Sequence, residues 1–448
     1  MEFGSTFPRL LSGRPEETME DLKPAYNPSQ AMAEANRCLY CYDAPCVTAC
    51  PTGIDIPTFI HKIATGNIRG SAQTILESNI LGHSCARVCP VEVLCVGACV
   101  HNLQEHPPIQ IGRLQRYATD WSYARGIQHF HPGEATGCRV ALIGAGPASL
   151  ACAAELAILG HKAVILEGRE LPGGLNSTGV APYKMKADVA LEEVAMIQRL
   201  GVEIHTGVQV GKDVTLADLE RDYDAIFIGV GLGEDSYLKV QGEDLAGVWG
   251  AVDLIEHIKL DAGLDLSGVK TALVIGGGNT AIDATRELCR LGIPQVKLVY
   301  RRNDEAMSAY RHEWDYAKKE GVSAHFHRVP VAFEGEEGRV SRARLAVTEQ
   351  VGDRVRVVPG EEETVACDLV VLAIGQSKQQ AFLASIPSLT LNQGRVVVDV
   401  ASHQTSNPRY FAGGDCVNGG KEVVNGAAEG KVAARGIHQF LKSIGRLV

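Results

Sequence analysis

Short apolar runs followed at once by glycine set the texture of the chain from Arg139 onward. Val140–Ile143 predicts a buried strand, the glycines after it a tight turn, and the rhythm beyond them an amphipathic helix. Ala163–Leu166 predicts the next strand. The same grammar begins again near residue 271: strand Ala272–Ile275, turn Gly276–Gly278, helix Thr280–Arg290, strand Val296–Tyr300. Two such starts predict two dinucleotide-binding domains of the α/β class. Before about residue 135 the pattern differs. Cys and Pro are frequent there, and helical periodicity is short, as in Ile56–Ala64 and Ser71–Ser78. A last helix is expected from about Glu429 to Leu441, and no solenoid repeat is visible.

Composition narrows the classes. The 448 residues are 45% hydrophobic and 21% charged, with a net charge of −10. That length fits two to four domains at roughly 100–200 residues each. The acidic balance argues against a nucleic-acid partner, which needs clustered Lys and Arg. No apolar run approaches the roughly 18 residues of a membrane span, and no export signal opens the chain. A cytoplasmic protein is expected. Met1–Thr6 reads as a cloning remnant.

Thirteen cysteines are present, eight of them between Cys38 and Cys99. A disulfide scaffold belongs to short secreted chains, so metal binding leads. Cys38, Cys41, Cys46 and Cys50-Pro51 form one run; Cys85, Cys89-Pro90, Cys95 and Cys99 form the other. Four thiolates per cubane and a Cys-Pro at the end of a ligand run favour two iron–sulfur clusters. Zinc is the rival, because C-x2-C also suits a tetrahedral thiolate site. His83 and His101 read as structural, and the five scattered cysteines as small buried residues.

Gly144-Ala-Gly146-Pro147-Ala148-Ser149 lies between strand and helix, where glycines admit a pyrophosphate and the helix N-terminus receives its charge. Glu167 ends the second strand, placed for ribose hydroxyls. Gly276-Gly-Gly278-Asn279-Thr280-Ala281 repeats the pattern, but its second strand ends in Arg301 and Arg302. Guanidinium groups there favour the 2′-phosphate of NADPH over the free hydroxyl of NADH. The competing reading has both arginines solvated or paired with Asp304 and Glu305.

Further motifs carry a resemblance. Leu171-Pro-Gly-Gly174-Leu175 and the distant Tyr410-Phe-Ala-Gly-Gly414-Asp415 resemble the two-part FAD site of disulfide-reductase-type flavoproteins. There the late Asp binds the ribityl chain and the next helix points at the isoalloxazine. Ile228-Gly-Val-Gly231 and Ala373-Ile-Gly375 resemble the two crossover segments, which implies a nicotinamide domain inserted in the FAD domain. The implied division is 1–135 for the helical cluster domain, 136–255 and 375–448 for the split FAD domain, and 256–374 for the NAD(P) domain.

The whole order, with CYDAPCVTAC, LGHSCARVCPVEVLCVGAC and IQIGRLQRYA, resembles the flavoprotein subunits of dihydropyrimidine dehydrogenase and the small subunit of glutamate synthase. The resemblance implies interleaved ligands: Cys38, Cys41, Cys46 and Cys99 for one [4Fe–4S] cluster, and Cys50, Cys89, Cys95 and Gln115 for the other. It leaves Cys85 without a ligand's role. A plain split of the eight cysteines into two fours is the alternative. Where the family has an Arg near the flavin, this chain reads Tyr183-Lys184-Met185-Lys186, so Lys184 becomes the expected flavin cation. Ser308 stands where the animal enzyme has a base for the 2′-phosphate.

The implied chemistry is electron input. A hydride passes from NAD(P)H to FAD, and electrons leave singly through the clusters, with no acid–base pair required. The implied partner is an FMN-containing catalytic subunit that reduces uracil or thymine, within a hetero-oligomer. The alternatives are a glutamate synthase small subunit, a ferredoxin–NAD(P) reductase-type subunit, and a redox-inactive, zinc-stapled interaction protein.

Overall fold

A computed structural model describes residues 8–352 and 354–447. The expected remnant Met1–Thr6 lies outside them. Two five-stranded parallel sheets form the body. The first runs Tyr410–Ala412, Ala225–Ile228, Arg139–Ile143, Lys162–Leu166, Glu203–His205. The second runs Val248–Gly250, Leu369–Leu372, Thr271–Ile275, Gln295–Tyr300, Ser323–Phe326. Their central strands are buried on both faces, so they read as unbroken apolar runs.

The first sheet takes its edge strand from the chain's last quarter, so the second sheet is an insertion. Val248–Gly250 pairs with Leu369–Leu372, and Ala251 and Leu254 pack in the second core. Residues 248–255 therefore lie with the inserted sheet, not with the first as the expected boundary had it. Parallel pairing is a long-range event that a local motif does not announce.

A three-stranded antiparallel sheet was also not anticipated. Arg328–Glu336, Arg339–Val351 and Arg354–Ala366 turn at Gly338 and near Gly352. The last of these strands is mostly exposed, so it shows no apolar run.

The Cys-rich region is helical, as its short periodicities predict. Ile56–Ala64, Ile68–Ser78, Gly82–Val88 and Ile111–Tyr123 surround a core of Phe59, Ile60, Ile75 and Leu114. An N-terminal strap ties it to both sheets. Glu16 is buried, accepting from Ala187 N at 3.1 Å and from Arg14 at 2.9 Å. Met19 enters the second core, and Lys23 Nζ reaches Cys89 O at 3.5 Å. Among the described residues no helix is long and apolar enough to cross a membrane.

Candidate functional site

The first glycine loop gathers the predicted flavin residues from distant parts of the chain. Gly144 holds φ +91°, and a Cβ there would stand 2.6 Å from Gly229 O, so the turn excludes any side chain. Gly146 caps the helix Pro147–Ile158, and the nearest atom to a Cβ there is 3.9 Å away. That open face admits a phosphate to the helix's free N–H groups. Gly174 stacks on Gly146, its missing Cβ only 2.8 Å from the Gly146 Cα, which seats Leu175 beside the loop.

Glu167 accepts from Ala145 N at 2.7 Å and Arg169 N at 2.9 Å, so the predicted acid lies against the loop. Ser149 is fully buried with its Oγ unpartnered, and Asn176 Oδ1 is likewise an orphan. The hydroxyl can donate or accept and the amide oxygen can only accept, so both fit a polar group seated at the loop.

The late segment closes this site. The helix Val423–Ser443 lies on Pro147–Ile158, and a Cβ at Gly430 would overlap Ala148 O. Gly414 comes within 3.1 Å of Ala148 Cβ by the same measure, which brings Asp415 to the loop. Glu429 fixes that turn, accepting from Gly414 N at 2.6 Å and Asn418 Nδ2 at 3.0 Å. Gly231 (φ +63°) and Val230 lie beside the Cys416 thiol, which burial pushes up to about 12.

The second loop is laid out alike. Gly278 caps Asn279–Arg290, and a Cβ there would find nothing nearer than Ser308 Oγ at 3.6 Å. A Cβ at Gly277 would overlap the Tyr300 ring. Asn279 Oδ1 accepts from Tyr310 N at 2.9 Å; Ala281 is buried in the core, and Thr280 before it is exposed. Gly375 O accepts from Ser236 N at 2.9 Å, where the two crossover segments run side by side.

The expected competitors of Arg301 and Arg302 are engaged elsewhere or apart. Asp304 pairs with Arg311 at 3.2 Å. Among the described residues neither Arg301 nor Arg302 has an ion-pair partner, and Arg302 Nε is buried without an acceptor. A donor of that kind fits an anion.

The cysteines fall into two groups. Cys38, Cys41, Cys46 and Cys99 line one small, partly open cavity, with Ile56, Ile60 and Ile109 as its apolar wall. That is the predicted first ligand set. Burial and the neighbouring Cys38 and Cys99 push Cys46 up to about 11, so a bound cation is what would hold this thiol as thiolate at neutral pH. In the second group, Cys89 lies against Cys85, Cys95 and Cys50, and the Cys85 thiol and burial hold its proton firmly. Burial and Cys50 push Cys95 to about 12.

Gln115 is buried on Ile111–Tyr123 and donates from Nε2 to Gly82 O at 2.7 Å. Gly82 opens the short helix that carries Cys85 and runs into Cys89. All thirteen cysteines are free thiols; His83 belongs to packing, whereas His101 lines the cavity of Cys38, Cys41, Cys46 and Cys99. His83 stacks on Tyr123 with centroids 4.1 Å apart; His101 meets Arg37 O at 3.0 Å.

Lys184 departs from expectation. Its ammonium lies 2.7 Å from Asp283 and 3.0 Å from Glu313, both on helices of the inserted domain. Burial works against its charge, but the two carboxylates outweigh it and raise its pKa. Tyr183 Oη donates to the same Asp283 at 2.8 Å. The residue expected to face the flavin ties the two nucleotide domains together.

A second lysine was not foreseen. Lys259 is fully buried and donates to Asn176 O, Val180 O and Met185 O at 2.9–3.2 Å, clamping the flavin-side loop. Nothing local marks it, since its partners lie far upstream.

Comparison with known proteins agrees with this layout. Residues 15–127 match the family described as dihydropyrimidine dehydrogenase domain II, 4Fe-4S cluster, and residues 138–430 match pyridine nucleotide-disulphide oxidoreductase. The chain is 36% identical over 425 residues to the NAD-dependent dihydropyrimidine dehydrogenase subunit PreT of Escherichia coli K12, covering 95% of this chain and 97% of that one. It is 36% identical over 440 residues to the glutamate synthase (NADPH) small chain of the same organism, covering 93% of each. Thioredoxin reductase from T. acidophilum shares the fold at a TM-score of 0.55 and 20% identity, over 68% of this chain and 98% of that one.

Proposed function

Because the chain belongs to the pyridine nucleotide-disulphide oxidoreductase family, in the branch that carries a dihydropyrimidine dehydrogenase-type 4Fe-4S domain, we propose that it is the electron-input subunit of an NAD(P)-dependent dihydropyrimidine dehydrogenase. Its acceptor is then an FMN-containing catalytic subunit that reduces uracil or thymine. Bound FAD supplies the exchange between two-electron hydride chemistry and the one-electron chemistry of clusters. The protein's own residues bind, orient and insulate.

The Gly144–Ser149 loop, Glu167, Gly174, Leu175, Gly231, Gly414 and Asp415 would hold FAD. Gly276, Gly278–Ala281, Gly375, Arg301 and Arg302 would hold the nicotinamide nucleotide, with the arginines on a 2′-phosphate. Two [4Fe–4S] clusters would take Cys38, Cys41, Cys46 and Cys99, and Cys50, Cys89, Cys95 and Gln115.

The observation that carries the reading is the cavity lined by four cysteines in a domain strapped to a paired-nucleotide fold. Leu39 and Tyr42, chain neighbours of Cys38 and Cys41, and Leu103, on the short helix that follows Cys99, are exposed. Apolar exposure next to a redox group supports electron exit to a partner at that end.

The Cys85–Cys89 contact favours a second reading of one ligand. Anaerobic Cys85→Ala and Gln115→Ala proteins separate the two: with Gln115 as ligand, the first keeps full iron and the second changes the spectrum of one cluster. The partner is tested by anaerobic co-purification. A subunit with FMN and uracil-dependent activity supports the proposal; a large glutaminase subunit would support the glutamate synthase reading instead.

A further inference from the structure

The stretch Ser308–His312 touches all three candidate cofactor regions. Its backbone belongs to the second glycine loop: Ala309 N donates to Gly277 O at 3.1 Å, and Tyr310 N to Asn279 Oδ1 at 2.9 Å. Its side chains reach further. Tyr310 Oη donates to Glu422 Oε1 at 2.7 Å. Glu422 is the N-cap of the long late helix, bonded reciprocally with Asn425. His312 stacks on the Tyr310 ring, with centroids 5.8 Å apart and planes 14° apart. His312 Nε2 then stands 3.6 Å from Glu92, in the loop between Cys89 and Cys95. Glu92 is also 3.5 Å from Lys23 of the strap.

A main chain bound to one nucleotide loop and a hydroxyl bound to the helix that closes the other is a mechanical link. Ring packing alone would be served by Phe; the hydroxyl has Glu422 as its partner. Burial and that carboxylate both raise the Tyr310 pKa, so it stays a donor across the working pH range.

We infer that Tyr310 is a positioning residue for hydride delivery, holding the nicotinamide loop and the flavin-side helix at a fixed separation through its bond to Glu422. The inference rests on the reading of the two loops as nicotinamide and flavin sites. It makes the docked arrangement of the inserted domain the working one.

The test uses the anaerobic full-length holoprotein, wild type beside Tyr310→Phe, Glu422→Ala and the double variant. Single-turnover flavin reduction is followed with NADPH and with NADH. The limiting rate falls about tenfold in Tyr310→Phe, while the half-saturating nucleotide concentration and flavin content are unchanged. The double variant is no slower than the slower single, because both remove one bond. Hydrogen exchange rises in residues 276–280 and 423–426 together.

A limiting rate within about twofold of wild type with unchanged exchange overturns the inference, and so do multiplying effects. If the protein takes up no flavin, the functional reading fails instead. The exchange comparison on that same protein still decides whether Tyr310 links the two segments.

Discussion

Behind the first glycine loop, Glu167 turns back onto Ala145 N and the helix Val423–Ser443 lies across Pro147–Ile158. Behind the second, Arg301 and Arg302 follow directly on the strand Gln295–Tyr300, and the cover is the short stretch that leads to Tyr310. One strand–loop–helix grammar thus ends in two closures. The first is sealed by an element from the far end of the chain, with small residues replacing side chains at the contact. The second is roofed by a local loop that begins at Arg301 and Arg302, neither of which has a carboxylate partner among the described residues. A sealed cradle suits a cofactor that stays, and a loop-covered one suits a nucleotide that exchanges with every turnover.

The contrast breaks hardest at Gly430. Valine there forces the late helix off Ala148 O and costs about 3 kcal/mol. The flavin-to-protein absorbance ratio should then fall toward zero. Valine at Gly277 should leave that ratio intact and abolish nucleotide binding, read by titration. Flavin retention in Gly430→Val would erase the distinction between the loops.

Next in size is the arginine pair. Arg301→Ala with Arg302→Ala removes charge-assisted bonds of roughly 1.5–3 kcal/mol. NADPH should bind about ten- to a hundredfold more weakly, with NADH changed by less than about threefold. Equal effects on both nucleotides, measured by steady-state kinetics, would show that the pair does not read the 2′-phosphate. Glu167→Ala is the mirror case: flavin affinity should drop about tenfold with nicotinamide binding untouched, because only the first loop leans on an acid.

The smallest effect lies at the first domain's junction with the Cys-rich region. Glu193 is buried and accepts from His83 N, Ser84 N and the Ser84 hydroxyl. Burial pushes its pKa up to about 7. A carboxyl whose folded pKa exceeds its unfolded value contributes fully below the unfolded value and loses that contribution as pH rises through about 7. Glu193→Gln lacks the titration, so its melting temperature should gain on wild type between pH 6 and pH 8. A constant difference would mean that the carboxylate stays charged in the fold.

The sequence made the local parts of this contrast legible. Gly144 and Gly276 are forced by backbone geometry, and the strands beside them each start one residue earlier than predicted, on a polar residue (Arg139, Lys162, Thr271, Gln295) that the apolar runs do not mark. The last helix begins at Val423 rather than Glu429, because its glycine-rich first turns are stabilised by contact with Ala148, not by propensity. Lys184 is expected at the flavin because the family has an Arg there; its partners, Asp283 and Glu313, come from the inserted domain, which no local pattern announces. Spacing alone predicts two groups of sulfurs split by chain order; the family resemblance implies Cys99 with Cys38 and Cys46, and the fold lines one cavity with that set. It also sets Cys85 beside Cys89, a contact that spacing could neither require nor exclude.

The central claim is an electron path from nicotinamide nucleotide through flavin to iron–sulfur clusters. Anaerobically purified protein, analysed for metal and then titrated with NADPH and NADH under combined absorbance and EPR detection, tests it directly. The account predicts about eight irons per chain, bleaching of a bound flavin, and a reduced-cluster EPR signal that follows it. Zinc at the thiolates with no iron, or a flavin that neither nucleotide reduces, would contradict it.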